Sequence, residues 1–215
     1  MNFPEIELYK YIKGVVGVLR DDISRNPTNS FVDRHFKDDA VGKYVFAKEI
    51  KSVISRPEIN DNFLDVKLFF DAKRANIPTI HVTLPFEKGG NKIDGVGTDE
   101  GYEGRRESVE GSYRNFTRTF ATSYNIVIST SNSLETIGLY RVLQAALVQY
   151  TESMAAYGFN NLKISGGELQ LHPDVIPHGV FLRSINLDFD YQLTVEKMLP
   201  DSYLTDFMVN GSVAV

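Results

Sequence analysis

Twelve residues constrain the fold of this chain more than any others. Ile185, Leu187, Phe189, Tyr191, Leu193 and Val195 alternate without fault with Asn186, Asp188, Asp190, Gln192, Thr194 and Glu196. A period of two over that length is the pattern of a strand with one buried and one wet face. It spans roughly 40 Å. Parallel sheets are covered on both faces, so a clean polar face predicts an antiparallel sheet with one side in water. The apolar face then needs a second layer of structure to bury it.

The stretch from Asn132 to Tyr157 supplies a candidate for that layer. Leu134, Ile137, Val142, Leu143, Ala146, Leu147, Tyr150 and Met154 recur at spacings near three and four, which predicts one long helix with a broad apolar stripe. Glu135, Arg141, Gln149 and Glu152 fall where they can stay wet. Asn132 stands at the N-cap with Glu135 three residues on, the arrangement of a reciprocal capping box. Gly158 follows as the residue able to take a left-handed C′ conformation. Leu139, Tyr140, Ala145 and Val148 lie off the stripe, so a second apolar contact is expected. Burial under an N-terminal helix of the same chain is the plainer reading, and contact with a neighbouring subunit the sharper one.

The rest of the chain reads as α+β, a mostly antiparallel twisted sheet with the long covering helix and an N-terminal helix. Residues 4–20 form that N-terminal helix, with Leu8, Ile12, Val15, Val16 and Leu19 on one face. Gly14 and Gly17 each weaken it by about 1 kcal/mol relative to alanine, and together they let another backbone come close. Residues 21–39 read as a loop, and 41–55 fit a helix or a strand equally well. Strands are expected at 64–70 and at 77–85, where Ile80, Val82 and Leu84 oppose Thr79, His81 and Thr83, leaving His81 as a surface or interface residue. Residues 119–130 should pair antiparallel with 78–84. Between them, 86–112 is glycine-rich and charged, a long hairpin loop or arm that lacks apolar anchors and would need a neighbour to order it. Another strand begins at Leu162, with a bulge at Gly166 and Gly167 before Leu169 and Leu171. Residues 1–197 are thus one domain, and 198–215 an apolar tail that docks on a partner or neighbour.

Composition narrows the function. No apolar run is long enough to span a membrane, and Pro4, Glu5 and Glu7 do not make a signal peptide, so a soluble cytoplasmic chain is expected. The absence of cysteine excludes disulfides, thiolate metal sites and cysteine nucleophiles. The net charge of −5 sits in residues 168–215, which carry two basic and seven acidic side chains. That distribution lacks the basic stripe of a nucleic-acid binder.

Catalytic and metal chemistry find no pattern to stand on. The four histidines, His35, His81, His172 and His178, are not spaced as a ligand set, and His172 with Asp174 and His178 lies in a proline-rich turn. The glycines at 89–90 and 95–97 are not followed by the Lys-Ser/Thr and helix of a phosphate loop. Asp94, Asp99 and Glu100 lack calcium-loop spacing. No G-x-S-x-G turn is present. The expectation is a protein with no enzymatic activity, no cofactor and no metal.

The order of elements, with the stretch from Ile77 to Pro85 and the run from Leu134 through the strand 184–196, resembles the tail terminator, or tail completion and neck, proteins of tailed bacteriophages. The resemblance covers roughly residues 4–197 and rests on layout. It implies a virion structural protein that closes into a ring, usually a hexamer, caps the tail tube at the head-tail junction and meets tube, sheath and head-connector proteins after assembly in the host cytoplasm. The long 86–112 arm and the apolar tail depart from that pattern. Another tail, tube or baseplate assembly protein is the alternative, and an enzyme or small-molecule binder the alternative from another class. Arg105, Arg106, Arg114 and Arg118 cluster at the arm, and Asp188, Asp190, Asp201 and Asp206 carry much of the acidic excess. Arginine suits carboxylate pairing across interfaces, so these eight are the candidate contact residues between copies.

Overall fold

The structure, a computed structural model, describes residues 4–58, 62–68, 77–89, 102–108, 111–168 and 179–198. Five strands form the main path of one sheet. They are β3 (Asp65–Leu68), β4 (Thr79–Gly89), β6 (Gly111–Thr130), β8 (Phe181–Met198) and β7 (Asn160–Glu168), in that spatial order, and β5 (Tyr102–Ser108) adds to the far end of β6. Every pairing is antiparallel except β3 with β4. The fold is α+β.

The alternation of β8 appears directly as burial. Ile185, Leu187, Phe189 and Tyr191 are buried, while Asp188 and Gln192 are exposed. Register then extends the apolar face across the sheet, because Ile185 lies opposite Ile126 and Leu187 opposite Tyr124. Ile126 in turn lies opposite Val82. Burying each such aliphatic side chain contributes roughly 1.5–3 kcal/mol. Tyr124 stacks on Phe189 at 5.5 Å between ring centroids, and Phe159 meets Phe189 edge-on at 4.8 Å.

Two helices lie on that face. The first, α1 (Pro4–Arg25), buries Leu8, Ile12, Val15, Val16, Leu19 and Ile23 against β3 and β4. Arg20 fastens it, its Nε donating to Ile54 O at 2.9 Å and its Nη2 to Leu64 O at 2.6 Å. The second, α4 (Ser133–Gln149), covers β6 and β8. Its N-cap, Asn132, accepts from the Leu134 amide at 2.9 Å. Glu135 turns away into a half-buried position, where burial pushes its carboxyl up although Arg56 opposes the shift. The reciprocal capping box belongs instead to α2 (Phe31–Phe36), between Ser30 and Asp33.

The second apolar contact of α4 comes from within the chain, and α3 (Phe46–Ile54) makes it. Gly138 is the point of approach, since a Cβ there would stand 2.5 Å from Ile50 Cδ1 and 3.2 Å from Phe46 Cδ1. Tyr140, also off the main stripe, reaches β7 and β8, where Arg183 lies over its ring at 5.5 Å. The N-terminal helix meets the end of α4 through Tyr11 Oη, which donates to Tyr150 O at 3.0 Å. Val148 stays 60% exposed, so part of the excess apolar surface has no cover among the described residues.

Several expectations are corrected. The single helix 132–157 is two, because α5 (Thr151–Ala156) starts after a break at Tyr150. The Thr151 hydroxyl takes the Leu147 and Val148 carbonyls, competing with the backbone ladder. Gly158 does end the run as expected: its φ is 93°, its amide donates to Ala155 O, and Phe159 N–H donates back to Met154 O. Residues 21–39 are not all loop, since α1 continues to Arg25 and α2 follows, held by Lys51 and Ser30 on Asp33. Burial would raise the Asp33 carboxyl, but those partners more than offset it and hold it low. Residues 41–55 are both things considered: a two-residue hairpin of β1 (Ala40–Val41) and β2 (Tyr44–Val45), then α3.

The register irregularity of β7 falls between Asn160 and Lys163, with Asn161 at φ 53°, and Gly166 and Gly167 pair in regular register. Gly166 is there for close approach, since a Cβ would sit 2.5 Å from Tyr140 Oη and 2.9 Å from Ser184 O. His81 is buried, 1% exposed. The pleat does turn it away from Ile80 and Val82, but at that end the helix-free face is buried too, with Thr79, Val127 and Ser129 beside it. The 86–112 stretch is in part regular strand, β4 running to Gly89 and β5 pairing with β6. Phe69, Phe70, Leu169, Leu171 and residues 90–101 and 199–215 lie outside the described residues.

Candidate interface surfaces

The eight candidate residues distribute between two places on the sheet and one outside the description. Asp188 and Asp190 lie on the helix-free face of β8, Asp188 exposed and Asp190 partly so. The turn of backbone at Asn161 brings its Nδ2 to donate to Asp190 Oδ2 at 2.8 Å. Lys163 stands opposite Asp188 in register. With Ser123 these residues line a shallow depression of about 310 Å³. The ion pairs among the described residues join Lys10 to Glu7, Lys51 to Asp33 and Lys67 to Asp65, so neither aspartate of the patch is neutralised that way.

The arginines lie further along the sheet, towards Gly111 and Met198. Register places Arg105 opposite Arg114, and Arg114 opposite Lys197. Three basic positions thus share one rung across β5, β6 and β8, and like charges directly opposite each other disfavour a sheet. Arg106 falls opposite Tyr113, and Arg118 opposite Leu193. Lys197 went unnoticed in the sequence because the alternation of β8 draws attention to its acidic residues. Only the pairing reveals it.

Asp190 and the rung of Arg105, Arg114 and Lys197 stand apart along β8. Asp190 and Lys197 are seven positions apart on β8, about 23 Å at 3.3 Å per residue. Asp201 and Asp206 lie outside the described residues.

A third surface, absent from the sequence reading, is a groove of about 400 Å³ between α1 and α5. Tyr11, Val15, Val18, Tyr150 and Tyr157 wall it and Gly14 opens onto it. Burial raises the Tyr11 hydroxyl pKa, with the Ser153 side chain opposing. Its signal in the sequence was the glycine pair on α1.

Among the described residues, no group of three or more His, Asp or Glu side chains could hold a metal ion. His172, Asp174 and His178 lie outside them. No described helix is long and apolar enough to cross a membrane. Comparison with known protein families finds no matching family, and comparison with curated proteins finds no matching relative.

Proposed function

We propose that the chain is a non-enzymatic structural subunit that closes into a ring at the head-tail junction of a tailed bacteriophage, capping the tail tube and meeting the connector. The observation that carries the assembly part is the separation of charge along β6 and β8. A basic rung at Arg105, Arg114 and Lys197 stands at one end of the sheet, and the Asp188 and Asp190 patch stands further along it. Complementary patches at different places on one subunit make a head-to-tail contact, which generates a ring when the rotation closes. The virion setting comes from the resemblance in the order of elements.

Exposed ion pairs contribute about 0 to 1 kcal/mol each. They set register and partner choice more than the strength of the ring. Reversing Arg105 and Arg106 to glutamate is therefore expected to weaken assembly, more at low salt than at high salt, because screening removes the effect. Sedimentation across a salt series reads this, and normal assembly of the double variant at low ionic strength would remove these arginines from the interface.

A further inference from the structure

Two polar groups on facing elements go unsatisfied where α4 meets α3. The Tyr44 hydroxyl, on β2, is out of reach of water and has no hydrogen-bond partner among the described residues. Glu135, in the first turn of α4, is half-buried, and its carboxylate enters none of the ion pairs found among the described residues. It is also released from capping. The Asn132 amide, which a capping box would give to Glu135, donates to Thr130 Oγ1 at 3.1 Å instead.

Packing turns these groups toward each other. Gly138 faces Phe46 and Ile50 of α3, and Glu135 stands one turn before it, on the same side of α4. On α3, Glu49 stands one turn after Phe46, partly buried. The Tyr44 ring meets that of Phe46 edge-on at 5.0 Å. The electrostatics agree with this geometry. Burial raises the Tyr44 hydroxyl, with Glu135 and then Glu49 adding to it. Burial also raises the Glu135 carboxyl, Arg56 opposing and Glu49 adding. Arg56 is engaged elsewhere too, its Nη1 donating to Asn62 O at 3.2 Å.

We propose that Glu135 and Glu49 form a proton-operated clasp that tightens α4 against α3 and the β1–β2 hairpin when the medium acidifies. Ionised, the two carboxylates repel across the contact. One proton taken from solvent removes that repulsion and gives Glu135 an O–H donor that faces a carboxylate and a hydroxyl. What the clasp holds is the hairpin, whose Val41 and Val45 are 55% and 42% exposed. Proton uptake fixes the position in which those apolar side chains are presented.

The clasp belongs to the single chain, so its test does not depend on the ring. Amide hydrogen exchange of the full-length chain, corrected for its intrinsic pH dependence, is followed from about pH 7.5 to about pH 5, where ordinary carboxylates stay largely ionised. Protection over residues 44–54 and 133–138 is expected to rise in acid by about two- to tenfold, the worth of one hydrogen bond. The sign follows from linkage, since a group whose folded pKa is raised contributes fully only below its unfolded value. Glu135→Gln, neutral at every pH, should hold the acid level of protection throughout, and Glu49→Gln should flatten the slope. Glu152→Gln, exposed on α5, should leave the slope unchanged. In the parent chain, NMR of the side-chain carboxyl carbons reads the proton directly and should place the Glu135 midpoint above that of Glu152. Flat protection in the parent overturns the proposal, as does a slope that survives Glu135→Gln, which would assign it to another group such as His35 of α2. A Glu135 midpoint at or below that of Glu152 overturns it as well, whatever the variants do.

Discussion

Gly138 and Gly17 form a pair of sites from which the packing between α3 and α4 can be measured. Both are helix-interior glycines, so alanine at either gains about 1 kcal/mol of helix propensity. They differ in surroundings. At Gly17 the new methyl meets nothing within 4 Å, while at Gly138 it would come to 2.6 Å from Ile50 Cγ1 as well as 2.5 Å from Cδ1. Ile50 is fully buried and cannot simply swing away, so α3 must shift or the side chain leave its rotamer. Overpacking of this kind costs about 1–3 kcal/mol. Subtracting the two variants cancels the propensity, and Gly138→Ala should be less stable than Gly17→Ala by about 1–3 kcal/mol. For a chain of this size each kcal/mol moves Tm by about 2–4 °C. Denaturant midpoints with unchanged slopes measure the difference. Equal stabilisation by both substitutions would refute the close approach of α3 to α4 and the account of how α4 is covered.

The hairpin and helix cap near α3 yield two further tests. Burial pushes the Tyr44 hydroxyl up to about 12, with Glu135 and Glu49 adding to the shift, and its Oη has no hydrogen-bond partner among the described residues. Tyr44→Phe removes an unsatisfied buried polar atom, so stability should stay unchanged or rise, and a loss of more than about 1 kcal/mol in chemical denaturation would show a bond there. Glu135 is raised above its ordinary 4.5 by burial, so the folded state holds its proton more tightly than the unfolded one. That contribution is full below the unfolded value and is lost as pH rises through the folded value. Glu135→Gln should therefore be more stable than the parent at pH 7, with the gap closing towards pH 4. A gap that widens in acid would contradict the sign.

The sequence was most legible where one physical constraint acted alone. From Ile185 to Gln192, β8 has a core on one side and a wetter face on the other, and there its alternation carried over. Gly158 was legible because the left-handed position it fills is local. His81 was not, since its pleat was read correctly but burial of the helix-free face depends on what lies around that end of the sheet. The first half of β6, residues 111–118, was missed because Arg114, Asn115, Thr117 and Arg118 do not look like strand. Those residues are strand because β5 and β8 pair with them, which is a long-range fact. The break at Tyr150 came from a threonine hydroxyl competing for carbonyls inside an otherwise periodic run. The acidic candidates were found from composition, whereas the basic rung needed register, and the groove needed two helices distant in sequence.

The central claim is that this chain works as one member of a closed ring, and its mass in solution tests that most directly. Native mass spectrometry of the purified chain, and of particles that contain it, should show a single closed species of about six copies of the 24.2 kDa chain. A mass of one chain in both preparations would contradict the account.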